Sequence, residues 1–160
     1  MPEISKKIPA MTKHISQATR NLSQDLIPSA AQVWFVRTNK GQMELVGVNR
    51  KLAGGNKLDA ALKALIDGPN PDEINEGYGS EIPRGTILLG VSEKDGAVEI
   101  NLSRRFASDG GTDSFETRME QLSRTVAGTQ IKQDVYLNVE GRRLNMTQGE
   151  GIEVKQPINR

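Results

Sequence analysis

The feature that most constrains this chain is a repeated switch in apolar spacing, from the two-residue period of a strand to the three-to-four-residue period of a helix. Val33, Trp34, Phe35 and Val36 form a continuous apolar run, and Asn39, Lys40 and Gly41 then supply a turn signal. Met43 to Val48 mixes apolar and polar residues as a partly covered strand does, so the pair reads as an antiparallel hairpin. After Gly54 and Gly55 the period lengthens. Asn56 is placed as an N-cap, Leu58, Ala61, Leu62, Leu65 and Ile66 make one helical stripe, and Gly68 with Pro69 stops it. The stripe is narrow and has no aromatic anchor, which suits packing on a sheet rather than a partner-binding groove helix.

The stretch from Asn70 to Arg84 is dense in Pro, Gly and carboxylates and reads as a long loop without regular structure. Its acidic residues do not follow the spacing of a twelve-residue calcium loop. Thr86 to Val91 reads as a strand, and Ala97 to Leu102 alternates cleanly, with Asp95 and Gly96 as the tight turn between them. Gly110, Gly111 and Thr112 lead into a second helix, with Asp113 as expected N-cap and Glu116 completing a capping box. Phe115, Met119, Leu122 and Val126 form its apolar face, and Gly128 ends it. Val135 to Val139 alternates again, Gly141 turns the chain, and short returns through Leu144 and Met146 and through Ile152 and Val154 follow. The order ββαββαβ predicts an α+β fold: a mixed sheet of about five strands with two helices packed on one face.

Composition narrows the function. The chain has 160 residues, is 36% hydrophobic and only 4% aromatic, enough for one domain with an aliphatic core. Twenty-one basic and 20 acidic residues are interspersed and give a formal charge of +1, so no stripe suited to nucleic acid exists. There is no cysteine, which removes thiolate chemistry and disulfides. No apolar run approaches the roughly 20 residues a membrane span needs. The single histidine, His14, lies in a Lys-, Ser- and Gln-rich segment, so neither a Ser-His-Asp triad nor an HExxH zinc site can be assembled around it. That segment, Met1 to Ala31, reads as a tail or tether. Ile4, Ile8, Met11, Ile15, Ala18 and Leu22 could line one helical face within it. The domain proper is expected over residues 32–160. No catalytic residue, cofactor or metal ligand is assigned. One turn could offer backbone N–H groups to an anion: Gly110, Gly111 and Thr112 at a helix start, close after Arg104 and Arg105.

Six stretches occur in an order that resembles the GerMN domain family. They are Ala64 to Pro69, Ile82 to Thr86, Val98 to Ser103, Gly110 through Thr125, Val135 to Gly141, and Gly149 to Ile152 with Pro157 to Arg160. Asn159 stands where related sequences usually carry Thr. The likeness is greatest to the cyanobacterial branch and spans Gln32 to Arg160. Most matching positions have structural reasons to be what they are. Gly68 and Pro69 stop a helix; Pro83, Gly85 and Thr86 shape a strand entry; Leu102 and Ser103 leave a hairpin; Arg124 and Thr125 lie late in the second helix; and Gly141 makes a turn. The resemblance implies a bacterial sporulation- and germination-related domain with a ring-building-motif-like fold. It also implies an extracytoplasmic, membrane-associated setting, through an anchor that is not present in this chain. The function it implies is non-catalytic: a protein–protein interaction module that assists assembly of a cell-envelope complex, with envelope proteins or a second copy as partners. The alternative is a ligand-binding domain for peptidoglycan glycan or a small anion.

Overall fold

The computed structural model describes residues 29–147 and 151–160. The tail stripe from Ile4 to Leu22 and His14 lie outside the described residues. The first two strands, β1 (Ser29–Asn39) and β2 (Gln42–Leu52), pair antiparallel over their whole lengths, from Ser29 with Leu52 to Asn39 with Gln42. Lys40 and Gly41 turn the hairpin with φ of 52° and 78°. Two positive φ angles match the right-handed twist of the strands they join.

Helix α1 (Lys57–Asp67) is capped as its sequence predicts, with Asn56 Oδ1 accepting from the Asp59 N–H at 2.9 Å. Gly68, at φ 82°, ends it by donating its N–H to the carbonyls of Ala64 and Leu65. The stretch expected to be an irregular loop contains order. Asn70 and Glu73 form a reciprocal capping box, Pro71 occupies the first turn, and a short helix α2 (Pro71–Asn75) results. Strand β3 (Tyr78–Gly79) then pairs with β1 at Val36 and Arg37.

Strands β4 (Leu88–Lys94) and β5 (Ala97–Leu102) make the second hairpin, and Asp95 and Gly96 turn it with φ of 52° and 80°. Helix α3 (Gly111–Gly128) carries the chain to β6 (Val135–Val139), which lies parallel to β5, and Glu140 and Gly141 turn it into β7 (Arg142–Arg143). Among the described residues the end of the chain contributes one isolated bridge, Met146 with Glu153, in place of the short strand expected through Ile152 and Val154.

The α+β class is as expected, but the strands divide into two sheets, β2-β1-β3 and β4-β5-β6-β7. The second edge of β1 is why. There the Trp34 N–H donates to Thr125 Oγ1 at 3.0 Å, and Gln121 Nε2 donates to the Trp34 carbonyl at 3.0 Å. Polar side chains from the buried face of α3 occupy hydrogen-bonding positions that a neighbouring strand would otherwise fill. One apolar core joins both halves: Val33 and Phe35 from β1, Leu58, Leu62 and Leu65 from α1, Ile100 and Leu102 from β5, and Leu122 and Val126 from α3. Every apolar residue in the predicted α1 stripe from Leu58 to Leu65 is buried, the leucines in this core and Ala61 in a small cluster with Ala31 and Leu52, Ile66 being half-buried.

Candidate functional site

Three places could carry function: the glycine turn before α3, the open sheet edges, and a groove beside α3. The turn is built around a cation. Arg118 sits three residues after Phe115 on the buried face of α3, with 1% of its surface exposed. Its Nη1 donates to the carbonyls of Phe106 and Ser108 at 2.7 and 2.8 Å, and its Nη2 to the carbonyl of Asp109 and to Ser114 Oγ at 2.8 and 2.9 Å. Ser114 Oγ donates onward to Glu81 Oε2 at 2.8 Å. Burial pulls the Arg118 guanidinium below the usual arginine range, and the carboxylates of Glu81 and Asp109 oppose that pull. Its Nε, which none of these acceptors reaches, is buried without a hydrogen-bond partner among the described residues.

This geometry moves the helix start. Asp109 and Gly110 take positive φ, 64° and 92°, and α3 begins at Gly111, so Asp113 lies in the first turn instead of capping it, and the expected capping box with Glu116 does not form. A Cβ added at Gly110 would stand 2.5 Å from Ser114 Oγ and 2.9 Å from Arg118 Nη2. The turn therefore presents carbonyls inward to a guanidinium.

The other residues expected to hold an anion lie around it. Arg104 and Arg105 open a 3₁₀ turn, Arg104–Ala107. The Arg104 N–H donates to Glu140 Oε2, while the Arg105 side chain donates to the Arg84 carbonyl and pairs with Asp109 at 2.9 Å. Gly111 and Thr112 are exposed at the head of α3.

Most of the residues that carry the family resemblance sit at element boundaries, while Leu102, Arg124 and Thr125 lie within β5 and α3. Thr86 is buried and its Oγ1 donates to the Pro83 carbonyl, Gly85 turns at φ 87°, and Pro69 follows the stop at Gly68. Leu102 is core, and Ser103 Oγ accepts from the Ile87 N–H. Arg124 stacks 5.0 Å from the Trp34 ring and pairs with Glu120, Thr125 holds the edge of β1, and Gly141 turns at φ 79°. Asn159 bridges two backbone groups, accepting from the Val135 N–H and donating to the Gln133 carbonyl.

Sequence reading passed over Arg118 and Gln121. The signal was available in the helical period, because both fall on the face marked by Phe115, Leu122 and Val126, where a long polar side chain must find partners. Gln121 finds three, the Trp34 carbonyl, Ser80 Oγ and the Glu81 N–H.

The groove, about 730 Å³, runs between α3 and the last segment of the chain. Leu45, Met119, Ile152, Val154 and Pro157 give it apolar lining, and Asp113, Glu116, Glu120 and Glu153 give it acidic lining. Among the described residues no three His, Cys, Asp or Glu side chains converge as a metal site, and no helix is long and apolar enough to cross a membrane.

Two small sheets, one partly parallel through an α3 crossover, with helices packed against the first hairpin, define an α+β domain whose identifying residues are mostly caps and turns. The chain belongs to the Germane family, described as sporulation and spore germination, which it matches over residues 32–145. Its fold is similar to the first GerMN domain of the sporulation protein GerM from Bacillus subtilis, at 19% identity and a TM-score of 0.56, covering 79% of this chain and 94% of that one. It is also similar to the tandem GerMN domains of the same protein, at 18% identity and a TM-score of 0.53, covering 80% of this chain and 45% of that longer one. Among curated protein sequences none matches significantly.

Proposed function

We propose that this domain is a non-catalytic protein-interaction module that works outside the cytoplasm and helps to organise an envelope complex. The observation that carries this reading is the outer edge of β2. It is an 11-residue strand at the end of its sheet, and among the described residues no strand pairs with its free side. Native proteins shorten, twist or cover such edges unless another chain uses them, because unpaired N–H and C=O groups template strand addition. Met43, 52% exposed, adds apolar surface near the hairpin tip. Membership of a family described by sporulation and spore germination is consistent with such a role.

The test is photo-crosslinking in intact cells from a reactive amino acid placed at Glu44 or Lys51, both exposed on β2. A reproducible crosslinked protein from these positions, and not from Asp95 in the distant β4–β5 turn, is expected. Repeated recovery of no protein from β2 would remove the basis for the proposal.

A further inference from the structure

The groove beside α3 carries charge that the fold does not use. Glu120 is paired with Arg124 and Arg160 with Asp134, but Asp113, Glu116 and Glu153 have no hydrogen-bonded or ion-paired side-chain partner among the described residues, against Lys155 as the unpaired cation in the lining. The helix dipole favours Asp113 and Glu116 near the start of α3; it does nothing for Glu153. The surface thus combines excess negative charge with half-buried apolar lining at Met119, Ile152 and Pro157.

Elsewhere the same chain has the opposite combination. The guanidinium groups of Arg84, Arg104 and Arg142 have no partner among the described residues, and hydrogen bonds tie together the chain segments that carry them. The Arg84 carbonyl accepts from Arg105, the Arg104 N–H donates to Glu140, and Arg142 lies opposite Val139 just past that residue. Beside them Ile87 is 58% exposed, fixed by two hydrogen bonds to Ser103, and Leu89 is 47% exposed where the β4–β5 ladder shifts register. Arg105 and Arg143, by contrast, pair with Asp109 and Glu99.

We infer that the partner of the groove is a second copy of this chain, with Ile87 and Leu89 seated against the apolar lining and Arg84, Arg104 and Arg142 facing Asp113, Glu116 and Glu153. Charge complementarity between two surfaces of one sequence commits the occupant to another copy. The contact is between different surfaces, so it repeats either reciprocally in a closed dimer or successively. Opposed exposed charges set register and encounter, and the apolar pair supplies the buried centre. This inference rests on the reading of the chain as an interaction module and names one partner for it.

Sedimentation velocity of the full chain across a broad concentration range tests it. Wild type is expected to associate, and to do so less as salt rises, because exposed charges are screened. Glu116→Lys with Glu153→Lys, or Arg104→Glu with Arg142→Glu, should each weaken association roughly tenfold or more, since each reversal turns attraction into repulsion. Leu89→Ser should weaken it without changing charge. Asp72→Lys with Glu76→Lys, which makes the same charge change as the groove variant at exposed positions outside both surfaces and off the β2 edge, should leave it unchanged. A wild-type chain that stays monomeric overturns the inference, as do groove and patch variants that associate like wild type, or an Asp72/Glu76 variant that weakens as much as they do. If crosslinking in cells returns another protein while the purified chain is monomeric, the interaction module stands and this self-contact falls.

Discussion

Replacing Arg118 by Met keeps the length of the buried stem and removes the guanidinium, isolating the hydrogen bonds it makes. Four are lost, to the carbonyls of Phe106, Ser108 and Asp109 and to Ser114 Oγ. Hydrogen bonds to a charged donor contribute about 1.5–3 kcal/mol each, and a buried carbonyl left without a donor costs about 1–3 kcal/mol. The Phe106 residue is buried, whereas Ser108 is half-buried and Asp109 exposed, so water can recover the second and third carbonyls. Burying the cation itself costs several kcal/mol, which Met avoids. The balance is a destabilisation of about 2–3 kcal/mol for Arg118→Met. Arg118→Ala should cost about 2 kcal/mol more, because it also opens a cavity. Urea unfolding read by the fluorescence of Trp34, the only tryptophan, measures both, and a constant dependence on urea would show that the loss is in the folded state. If Arg118→Met lies within about 0.5 kcal/mol of wild type, or is more stable, the guanidinium does not hold the turn, and buried-charge cost has outweighed its bonds.

Two further outcomes follow from named geometry. Gly110→Ala should lower stability by about 2–4 kcal/mol, combining left-handed strain with a Cβ 2.5 Å from Ser114 Oγ, while Gly141→Ala, with φ 79° and no atom within 4 Å, should cost about 1 kcal/mol from strain alone; equal losses in thermal melts would refute the close-packed cradle. The Arg50 guanidinium, bidentate on Glu73 at 2.9 Å, holds that carboxyl below its ordinary 4.5, so its contribution is present above that value and disappears as pH falls through the depressed one. Wild type should exceed Glu73→Gln in urea midpoint at pH 6, and the gap should close toward pH 3; a gap independent of pH would contradict this.

Much of the local structure was legible because it is decided over a few residues. Lys40-Gly41 and Asp95-Gly96 turn their hairpins as read, Asn56 caps α1, Gly68 stops it, and Val98, Ile100 and Leu102 face the core. The misread stretches have equally local causes. The capping box of Asn70 and Glu73 is written in the sequence but is masked by the density of Pro and Gly around it, and Asp113 resembles a cap more than Gly110, the N-cap position of α3.

The candidate surfaces were less legible, since each is assembled from distant segments. Asp113 and Glu153 share a groove only because the end of the chain returns beside α3, and the segments carrying Arg104 and Arg142 are tied together only because β5 and β6 pair in parallel. Sequence by itself determined the α+β class, the hairpins, the main helices and the apolar faces they bury, because backbone preference and side-chain period act within one element. Tertiary structure alone decided that the strands form two sheets, that Gln121 and Thr125 close an edge of β1, and that Arg118 organises the turn before α3. The physical reason is that a buried polar group is satisfied by whichever partner the fold brings within hydrogen-bonding distance, and no spacing along the chain specifies that partner.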